Sequence, residues 1–482
     1  MTAKLVPLGY VAAAVLLACG VGIATVSSTR LALVAVILTI LVVIAAQVAE
    51  WPSTTVLAGL LVLSAMLVDL PGKAHFGRFT ANAALTIGYA ICLAIVIGAS
   101  ARVFSHHTRR IVTPLLVFLV MAGLSLMWTS ASISAAQNLL VFWIFVASII
   151  VGTWLPRSIV RLESVERWIT CCSLITLALY AVSLGLGGLG SGAIFGNRSF
   201  ALVGVMIVAW GAAGWRYRRR FGLSLAVCAS LLILASLSRT AFVTAVIVCC
   251  VAWLEPRRFH GWLRLFGAAA TAGALVYLAV EKFAALHHRI FTGDVQSVGG
   301  ISINLEGRGQ LWGTAWRSFL SSPIFGHGVG SADHLIQQLY PSAGHPHNDY
   351  LRLLNDYGVV GTALWVAGVA VIGRSCWRAW HSAPEDGVPT GGQFHPLVRR
   401  IHATAALSLL GVLLGMVTDN VIDYEFVMAP LGLLLGLSIG LANGAFQPES
   451  IHSRLHSITV GSASLTQQAV WSGGSEKRRH DT

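Results

Sequence analysis

A polar stretch late in a hydrophobic chain carries the residues best suited to chemistry. Residues 344–361 read GHPHNDYLRLLNDYGVVG. Their spacing predicts a helix from about Asn348 to Tyr357, with Gly358 as its left-handed stop. His347 would then lie at the positive N-terminus of this helix, where the helix dipole favours a neutral imidazole that can accept a proton. This arrangement is typical of a general base.

Two other interpretations of His347 remain open from the residues alone. His345, His347 and Asp349 could bind a divalent metal, although Pro346 restricts the backbone and no fourth ligand follows at a suitable spacing. Alternatively, the histidine caps the loop and has no chemical role. The helix that follows is predicted to pack through a face made of Tyr350, Leu351, Leu354 and Tyr357.

Two arginines stand where a fixed positive charge could act on an anion. Arg239 lies in LASLSRTAFVT, between two apolar runs, because residues 221–254 would form a helix of roughly 51 Å, longer than one membrane span. A cation there is either an interface anchor or a charge facing a cavity. Arg308 stands between two glycines in EGRGQLW, and its planar guanidinium suits phosphate oxygens. An ordinary solvated arginine is the alternative for Arg308.

The composition defines the broad class of the protein. The chain has 482 residues, of which 56% are hydrophobic and 11% charged, and its mean hydropathy is +0.76. Apolar stretches of roughly 16 to 21 residues recur along it, which predicts an all-α polytopic integral membrane protein with about 12–14 transmembrane helices. The first three spans are predicted at 5–25, 31–49 and 54–70, and the first has no cleavage site after it.

The net charge of +13 is explained by topology rather than by a nucleic-acid partner. With the N-terminus placed inside, 22 of the 32 lysines and arginines fall on one set of loops. This bias follows the positive-inside rule and predicts that both termini are cytoplasmic. The eight cysteines lie in predicted spans or at their ends, with no disulfide framework or zinc spacing.

The chain is predicted to have five parts along its length. These are N-terminal transmembrane helices at 1–110, central transmembrane helices with the Ser-Arg turn at 111–281, a large external loop at 282–357 where function is expected to concentrate, C-terminal transmembrane helices at 358–446 and a disordered cytoplasmic tail at 447–482. Within the loop, 309–322 has helical spacing and predicts an amphipathic helix on the membrane surface. The absence of an internal repeat argues against many transporter folds.

Several motifs resemble one family. His347-Asn348, nine residues and then GVVG at 358–361 resemble the H-[NSQ]-x9-G-x-x-[GTY] signature of the O-antigen ligase and O-antigen polymerase (Wzy-C, WaaL-like) superfamily of membrane glycosyltransferases. Further segments are similar to the family: the loop 308–334 with Pro323, Gly326, Gly328 and Gly330 in a P-x-x-G-x-G role, LSRTAF at 237–242, FGNRSFALVG at 195–204, and LSLMWTSASISAAQNLLVF at 124–142. The resemblance covers roughly residues 124–441.

The resemblance implies a multi-pass glycosyltransferase of the GT-C type in the bacterial inner membrane. Its donor would be an undecaprenyl-diphosphate-linked oligosaccharide or polysaccharide, and its acceptor a glycan or glycolipid such as lipid A-core, at the periplasmic face. Carried over by motif, Arg239 and Arg308 hold the donor diphosphate and His347 is the catalytic base. Transfer would invert the anomeric carbon without a metal or other cofactor. Asn348 is expected to orient the histidine or the substrate, and the lesser candidates are Arg317, Asp349, Arg352 and Asp419.

Three carboxylates near the end of the chain are further candidates for catalysis, because glycosidases often use a carboxylate pair. Asp419, Asp423 and Glu425 lie in TDNVIDYEF, at the predicted outer end of the last hairpin. The interpretation favoured by the residues is interface polarity or pairing with arginines. The minor alternative is that Asp419 or Asp423 orients the Arg308 side chain.

The motifs leave ligase and polymerase open, since both use the same donor and differ only in the acceptor. A ligase is preferred slightly; a Wzy-type polymerase would join lipid-linked repeat units into O-antigen or exopolysaccharide. A polysaccharide flippase would also have 12 to 14 spans, but it would need cations along a central cavity and pseudo-symmetric halves. A structural scaffold remains possible if His347 is dispensable. The sequence does not determine the oligomeric state.

Overall fold

A computed structural model describes most of the chain after its first 64 residues. The described residues are 65–67, 69, 75–76, 79–100, 106–156, 159–217, 220–256, isolated positions from 260 to 282, 295–298, 301–304, 308–341, 343–382 and 396–443. The first two predicted spans, most of the third, most of residues 261–280 and the tail at 447–482 lie outside them. The predicted total of about 12–14 transmembrane helices therefore stays a prediction.

The described part of the chain is helical, which confirms the all-α class. Its α-helices are α1 (Ala81–Ser100), α2 (His106–Leu124), α3 (Ser132–Trp154), α4 (Ile159–Gly187), α5 (Asn197–Arg216), α6 (Arg220–Ala235), α7 (Arg239–Leu254), α8 (Arg308–Ser321), α9 (Ser331–Leu339), α10 (Asp349–Ser382), α11 (Pro396–Gly415) and α12 (Glu425–Ala442). Two short antiparallel hairpins were not predicted. They pair β1 (His75–Phe76) with β2 (Phe79–Thr80) and β3 (Val295–Val298) with β4 (Ile301–Asn304).

Seven of the described helices are long and apolar enough to cross a membrane, namely α2, α3, α4, α5, α10, α11 and α12. The polytopic prediction is therefore confirmed. The shorter apolar helices α6 and α7 meet at a turn, since α6 ends at Ala235 and α7 begins at Arg239. This turn is the junction that the length of the apolar run predicted.

Helix α12 lies at the centre of the bundle. Its apolar segment is 94% buried, whereas those of α2 and α10 are 33% buried. It packs on α3 through three glycines spaced four residues apart, Gly432, Gly436 and Gly440. A Cβ atom at Gly432 or Gly440 would lie 2.6 Å from the backbone oxygen of Phe145 or Thr153, respectively. Small residues thus allow the two backbones to approach closely, as in other membrane helix pairs.

An aromatic cluster fixes α10 to the bundle on both sides of a break at Gly358. The Phe118 ring of α2 lies 5.1 Å from the Tyr357 ring, and the Phe142 ring of α3 lies 5.3 Å from the Trp365 ring. Both pairs are tilted rather than stacked face to face, an arrangement that aromatic quadrupoles favour. The segment of α10 before the break is thereby held in a defined orientation.

The two ends of the bundle differ in chemistry. At the start of α11, Arg400 lies 2.5 Å from the Glu166 carboxylate and 3.5 Å from the centroid of the Trp210 ring, and Arg399 lies 3.1 Å from Glu255. Helix α11 has 20 residues, so its other end lies roughly 30 Å away. The candidate site described below is at that other end. This separation agrees with the charge bias of the sequence, while the orientation in the membrane stays a prediction.

Substitution of Gly436 by valine should disrupt the contact between α3 and α12. The added side chain would meet the backbone oxygen of Ile149 and lie 2.9 Å from the Cα atom of Gly152. Because backbone cannot move aside cheaply, we expect a loss of about 1–3 kcal/mol or more of stability. The measurement is the thermal midpoint in detergent. Gly123→Val is the matched control, since a Cβ atom at Gly123 meets nothing within 4 Å; equal midpoints for the two variants would contradict this packing.

Candidate active site

The candidate site lies where α5, α7 and α10 begin and α11 ends. The segment 416–423 wraps around the first turn of α10. The Asp349 N–H donates to the Met416 backbone oxygen at 2.9 Å, and the Ile422 N–H donates to Asp349 Oδ2 at 3.1 Å. These bonds fix the loop before α10 against the segment that leads into α12.

His347 lies in that loop and faces a carboxylate. Its φ is 52°, a left-handed conformation that is uncommon for a residue other than glycine. Its Nδ1 atom is 3.9 Å from Asp419 Oδ1 and 3.4 Å from Asn420 Nδ2. The Trp312 indole N–H donates to the His347 backbone oxygen at 3.4 Å. With Nδ1 directed at the protein and the side chain 14% exposed, Nε2 is the ring atom positioned to act on a ligand.

The environment of Asp419 keeps it ionised. Burial raises the pKa of this carboxyl, but the His347 ring, the Asn420 N–H and the positive charge of Arg198 outweigh it and hold the pKa below its usual value. A charged carboxylate beside the ring stabilises an imidazolium once one forms. The sequence favoured interface polarity or pairing with an arginine for Asp419, whereas the structure places its carboxylate beside His347.

The Ser-Arg turn lies beside the same segment. Arg239 is the first residue of α7, after a left-handed Leu237 with φ of 60°. The hydroxyl of Thr240 accepts a hydrogen bond of 2.7 Å from Thr418, the residue before Asp419. Ser238, Thr240 and Asp419 line one pocket together with apolar side chains of α5, α7 and α11. The structure therefore brings the predicted Arg239 turn and the His347 partner together.

Arg308 approaches the site from α8. It is the first residue of that helix, one turn before Trp312, and residues four apart lie on one helix face. Since the Trp312 indole contacts the His347 backbone, the start of α8 lies at the histidine loop. Arg317 follows Arg308 by nine residues, which places it roughly on the opposite side of α8, where it is exposed.

Sequence reasoning missed Arg198. This exposed residue at the start of α5 acts electrostatically on Asp419. It stands in FGNRSF, where the resemblance drew attention to the asparagine before it. The signal that could have found it is a cation at the N-terminus of an apolar helix, a position that the helix dipole disfavours.

Asn348 has a local structural role. Its side-chain oxygen accepts the Leu351 N–H at 3.0 Å, which caps the start of α10. Asp349 and Arg352 are 0% and 2% exposed, so neither reaches a substrate directly in this conformation. Of the lesser candidates, Asp349 and Arg352 therefore stabilise the structure around the site and do not line its surface.

Arg352 is surrounded by four carboxylates. Its guanidinium contacts Asp423 and lies 3.5 to 3.9 Å from the other three, Asp333, Asp349 and Asp356. The predicted apolar packing face of this helix was therefore wrong in part. Leu351 and Leu354 are only half-buried, whereas Arg352 and Asp356 are buried. The charged residues can be buried because they form ion pairs.

The glycine-rich loop before α9 packs on the break in α10. The Asp356 carboxylate accepts the N–H groups of Gly330 and Ala332, at 2.9 Å and 2.7 Å, and so caps the N-terminus of α9. Gly326 has a φ of 70°, and a Cβ atom there would lie 2.5 Å from the Asp356 backbone oxygen. Gly358, the predicted stop, has a φ of 63° and interrupts the helix, as expected.

The structure does not bring His345 and His347 together as ligands of one metal ion, which was the alternative role considered for His347. The rings of His345 and His347 are 6.4 Å apart, and His345 faces Asp333 at 3.2 Å and Asp423 at 3.7 Å instead. Burial lowers the pKa of His345, but the two carboxylates outweigh it and raise the pKa overall. Burial raises the pKa of Asp423 to about 6, although Arg352 acts in the opposite direction.

The fold and the site define a polytopic helical membrane protein with a histidine, a carboxylate and arginines at one end of its bundle. Residues 224–366 match the family model Wzy_C, described as O-antigen ligase. This match over part of the chain confirms the resemblance seen in the sequence. The match includes Arg239, Arg308 and His347 and ends before Asp419. None of the curated proteins compared with the chain matches it.

Replacing Arg352 with methionine should destabilise the site end of the bundle. Four buried carboxylates would lose their shared cation, a change that costs about 3–5 kcal/mol. The measurement is thermal unfolding in detergent at neutral pH. Arg317→Met is the control, because Arg317 is exposed on the outer side of α8. An unchanged midpoint for Arg352→Met would show that the cluster does not hold the fold.

Proposed function

We propose that the chain is a membrane glycosyltransferase that moves a glycan from an undecaprenyl-diphosphate donor to an acceptor hydroxyl. The observation that carries the proposal is the His347 Nδ1 atom beside the Asp419 carboxylate, 3.9 Å away, with the ring partly exposed. A histidine oriented by a carboxylate is a common general-base arrangement. The match of residues 224–366 to the O-antigen ligase family model supports this class of reaction.

The proposed reaction is a single displacement. Nε2 of His347 takes the proton of the acceptor hydroxyl while that oxygen bonds to the anomeric carbon of the donor sugar. The bond between this carbon and the diphosphate oxygen breaks on the opposite side, so the configuration inverts. Undecaprenyl diphosphate leaves with the bonding electrons, and Asp419 stabilises the imidazolium that forms.

Arg239 and Arg308 are proposed to bind the diphosphate. Each begins a helix near the histidine loop, and a guanidinium fork matches phosphate oxygens with two parallel hydrogen bonds. Their charges oppose the negative charge that develops on the leaving group. Because the arginines supply this charge, we expect that added Mg²⁺ does not raise the initial rate.

The proposed location is the bacterial inner membrane. The end of the bundle that carries His347 would face the periplasm, and the opposite end would face the cytoplasm. The arginines at the start of α11 lie at the opposite end of the bundle from His347, as the positive-inside rule would require of a cytoplasmic face. Lipid-linked donors carry their glycans at the outer surface, where this site would meet them.

The preferred acceptor class is a separate glycolipid such as lipid A-core, which makes the protein a ligase. The second candidate is a polymerase whose acceptor is another lipid-linked repeat unit, because a ligase and a polymerase would share the donor chemistry. A flippase is a weaker candidate. The buried Arg399 and Arg400 are paired with glutamates at one end of the bundle, which does not match a cationic path across the membrane.

His347→Ala should abolish transfer by removing the base, with a loss of at least about 100-fold in rate. Asp419→Asn should also lower the rate while leaving donor binding largely unchanged, because Asp419 contacts the histidine rather than the proposed diphosphate site. The measurement is glycan transfer by purified protein, with size-exclusion profiles as the check on folding. Full activity of folded His347→Ala would rule out the general base.

Arg239→Lys should be severely impaired, since an ammonium group keeps the charge but cannot present two parallel donors. Initial rates at varied donor concentration separate weaker donor binding from slower transfer. Arg317→Lys is the matched control and should behave like the wild type, because Arg317 lies on the outer side of α8. Wild-type rates for Arg239→Lys would leave Arg239 as an interface anchor.

A further inference from the structure

We propose that Asp333, His345 and Asp423 form a binding site for one divalent transition-metal ion, with Zn²⁺ as the best-fitting ion. The three side chains come from α9, from the loop two residues before His347 and from the turn before α12. This site is separate from the arginines proposed to bind the diphosphate. Its ion would hold the histidine loop in place and would take no part in the transfer step.

The distances match metal coordination. His345 Nδ1 lies 3.2 Å from Asp333 Oδ1 and 3.7 Å from Asp423 Oδ2, and all three ligand atoms lie within 4.8 Å of one another. A tetrahedral zinc ion with bonds of about 2.0–2.1 Å separates its ligand atoms by roughly 3.3–3.4 Å. One ion therefore fits among these atoms with small adjustments of the side chains.

A buried oxygen atom provides the second observation. Asp423 is 3% exposed, and its Oδ2 atom has no hydrogen-bond partner among the described residues. The Oδ1 atom of the same carboxylate contacts Arg352, whereas Oδ2 is directed at His345. Buried carboxylate oxygens normally have a partner, because an unsatisfied one is costly. A cation between Asp423 and His345 would satisfy this oxygen.

The charges around the site also favour a cation. Asp333 and Asp423 each direct one oxygen at Arg352 and the other at His345. Arg352 is shared with Asp349 and Asp356 as well, so a single guanidinium faces four carboxylates. A single guanidinium shared among four buried carboxyl groups leaves room for a further positive charge. A divalent ion on the far side of Asp333 and Asp423 would supply that charge.

The ligand set indicates the class of ion. One imidazole nitrogen with two carboxylate oxygens suits Zn²⁺ better than Mg²⁺ or Ca²⁺, which prefer oxygen ligands alone. The Asp333 carboxylate is supported from outside by the Asn138 amide, which donates to its Oδ2 atom at 3.3 Å. His345 is 34% exposed, which provides a path for the ion and space for a water molecule as a fourth ligand.

The test measures metal binding without donor or acceptor, so it is independent of the proposed function. Purified full-length protein is loaded with Zn²⁺ at about pH 8, because the ion must displace a proton from His345. After desalting, zinc is quantified by mass spectrometry, and Co²⁺ is substituted to obtain its visible absorption. We expect about one ion per chain in the wild type. Asp423→Asn and His345→Gln should lose it, and His334→Gln, a neighbouring histidine bonded to Gln338, should keep it.

His345→Cys protects the test against variants that fail to fold, because cysteine also binds zinc and cobalt. It should retain about one ion and should give a thiolate-to-cobalt charge-transfer band that the wild type lacks. Wild-type protein that retains no ion after desalting would overturn the proposal, as would equal zinc in folded Asp423→Asn and the wild type. The three side chains would then be an ion-paired cluster only.

Discussion

The buried guanidinium of Arg352 is the interaction on which the candidate site depends. It draws together carboxylates from three separate elements, which are Asp333 of α9, Asp349 and Asp356 of α10, and Asp423 of the turn before α12. A charge buried without partners costs several kcal/mol, so these elements are stable at this end of the bundle only when they assemble together. Their assembly brings the loop of His347 and the segment of Asp419 face to face.

The apolar bundle provides the frame for this polar assembly. Helix α12 is almost fully enclosed, and its glycines fix the distance to α3, while α10 is broken at Gly358 so that its first turns can lie against the loops. Gly326 allows the loop before α9 to contact the break at Gly358. The proposed transfer site thus lies where several helices begin, and the N-terminus of a helix favours an anion.

Features that depend on local pattern could be predicted from the sequence, and those that depend on distant contacts could not. The break at Gly358, the turn before Arg239 and the helix after Arg308 follow from glycine chemistry, span length and helical spacing. The pairing of His347 with Asp419 joins residues 72 positions apart, and no periodicity encodes it. The buried side of the helix after His347 was predicted wrongly, because apolar residues were expected to face inward. The charged residues on that side can be buried because their partners come from other segments of the chain.

The stereochemistry of transfer tests the central claim most directly. Purified protein would be given an undecaprenyl-diphosphate oligosaccharide of defined anomeric configuration and an acceptor, and the new glycosidic bond would be assigned by NMR. Direct attack by a hydroxyl deprotonated by His347 predicts a product of opposite configuration, formed together with undecaprenyl diphosphate. The size of the product separates one intact glycan on an acceptor from a ladder on the lipid carrier. Retention of configuration would require a covalent intermediate and would contradict the account.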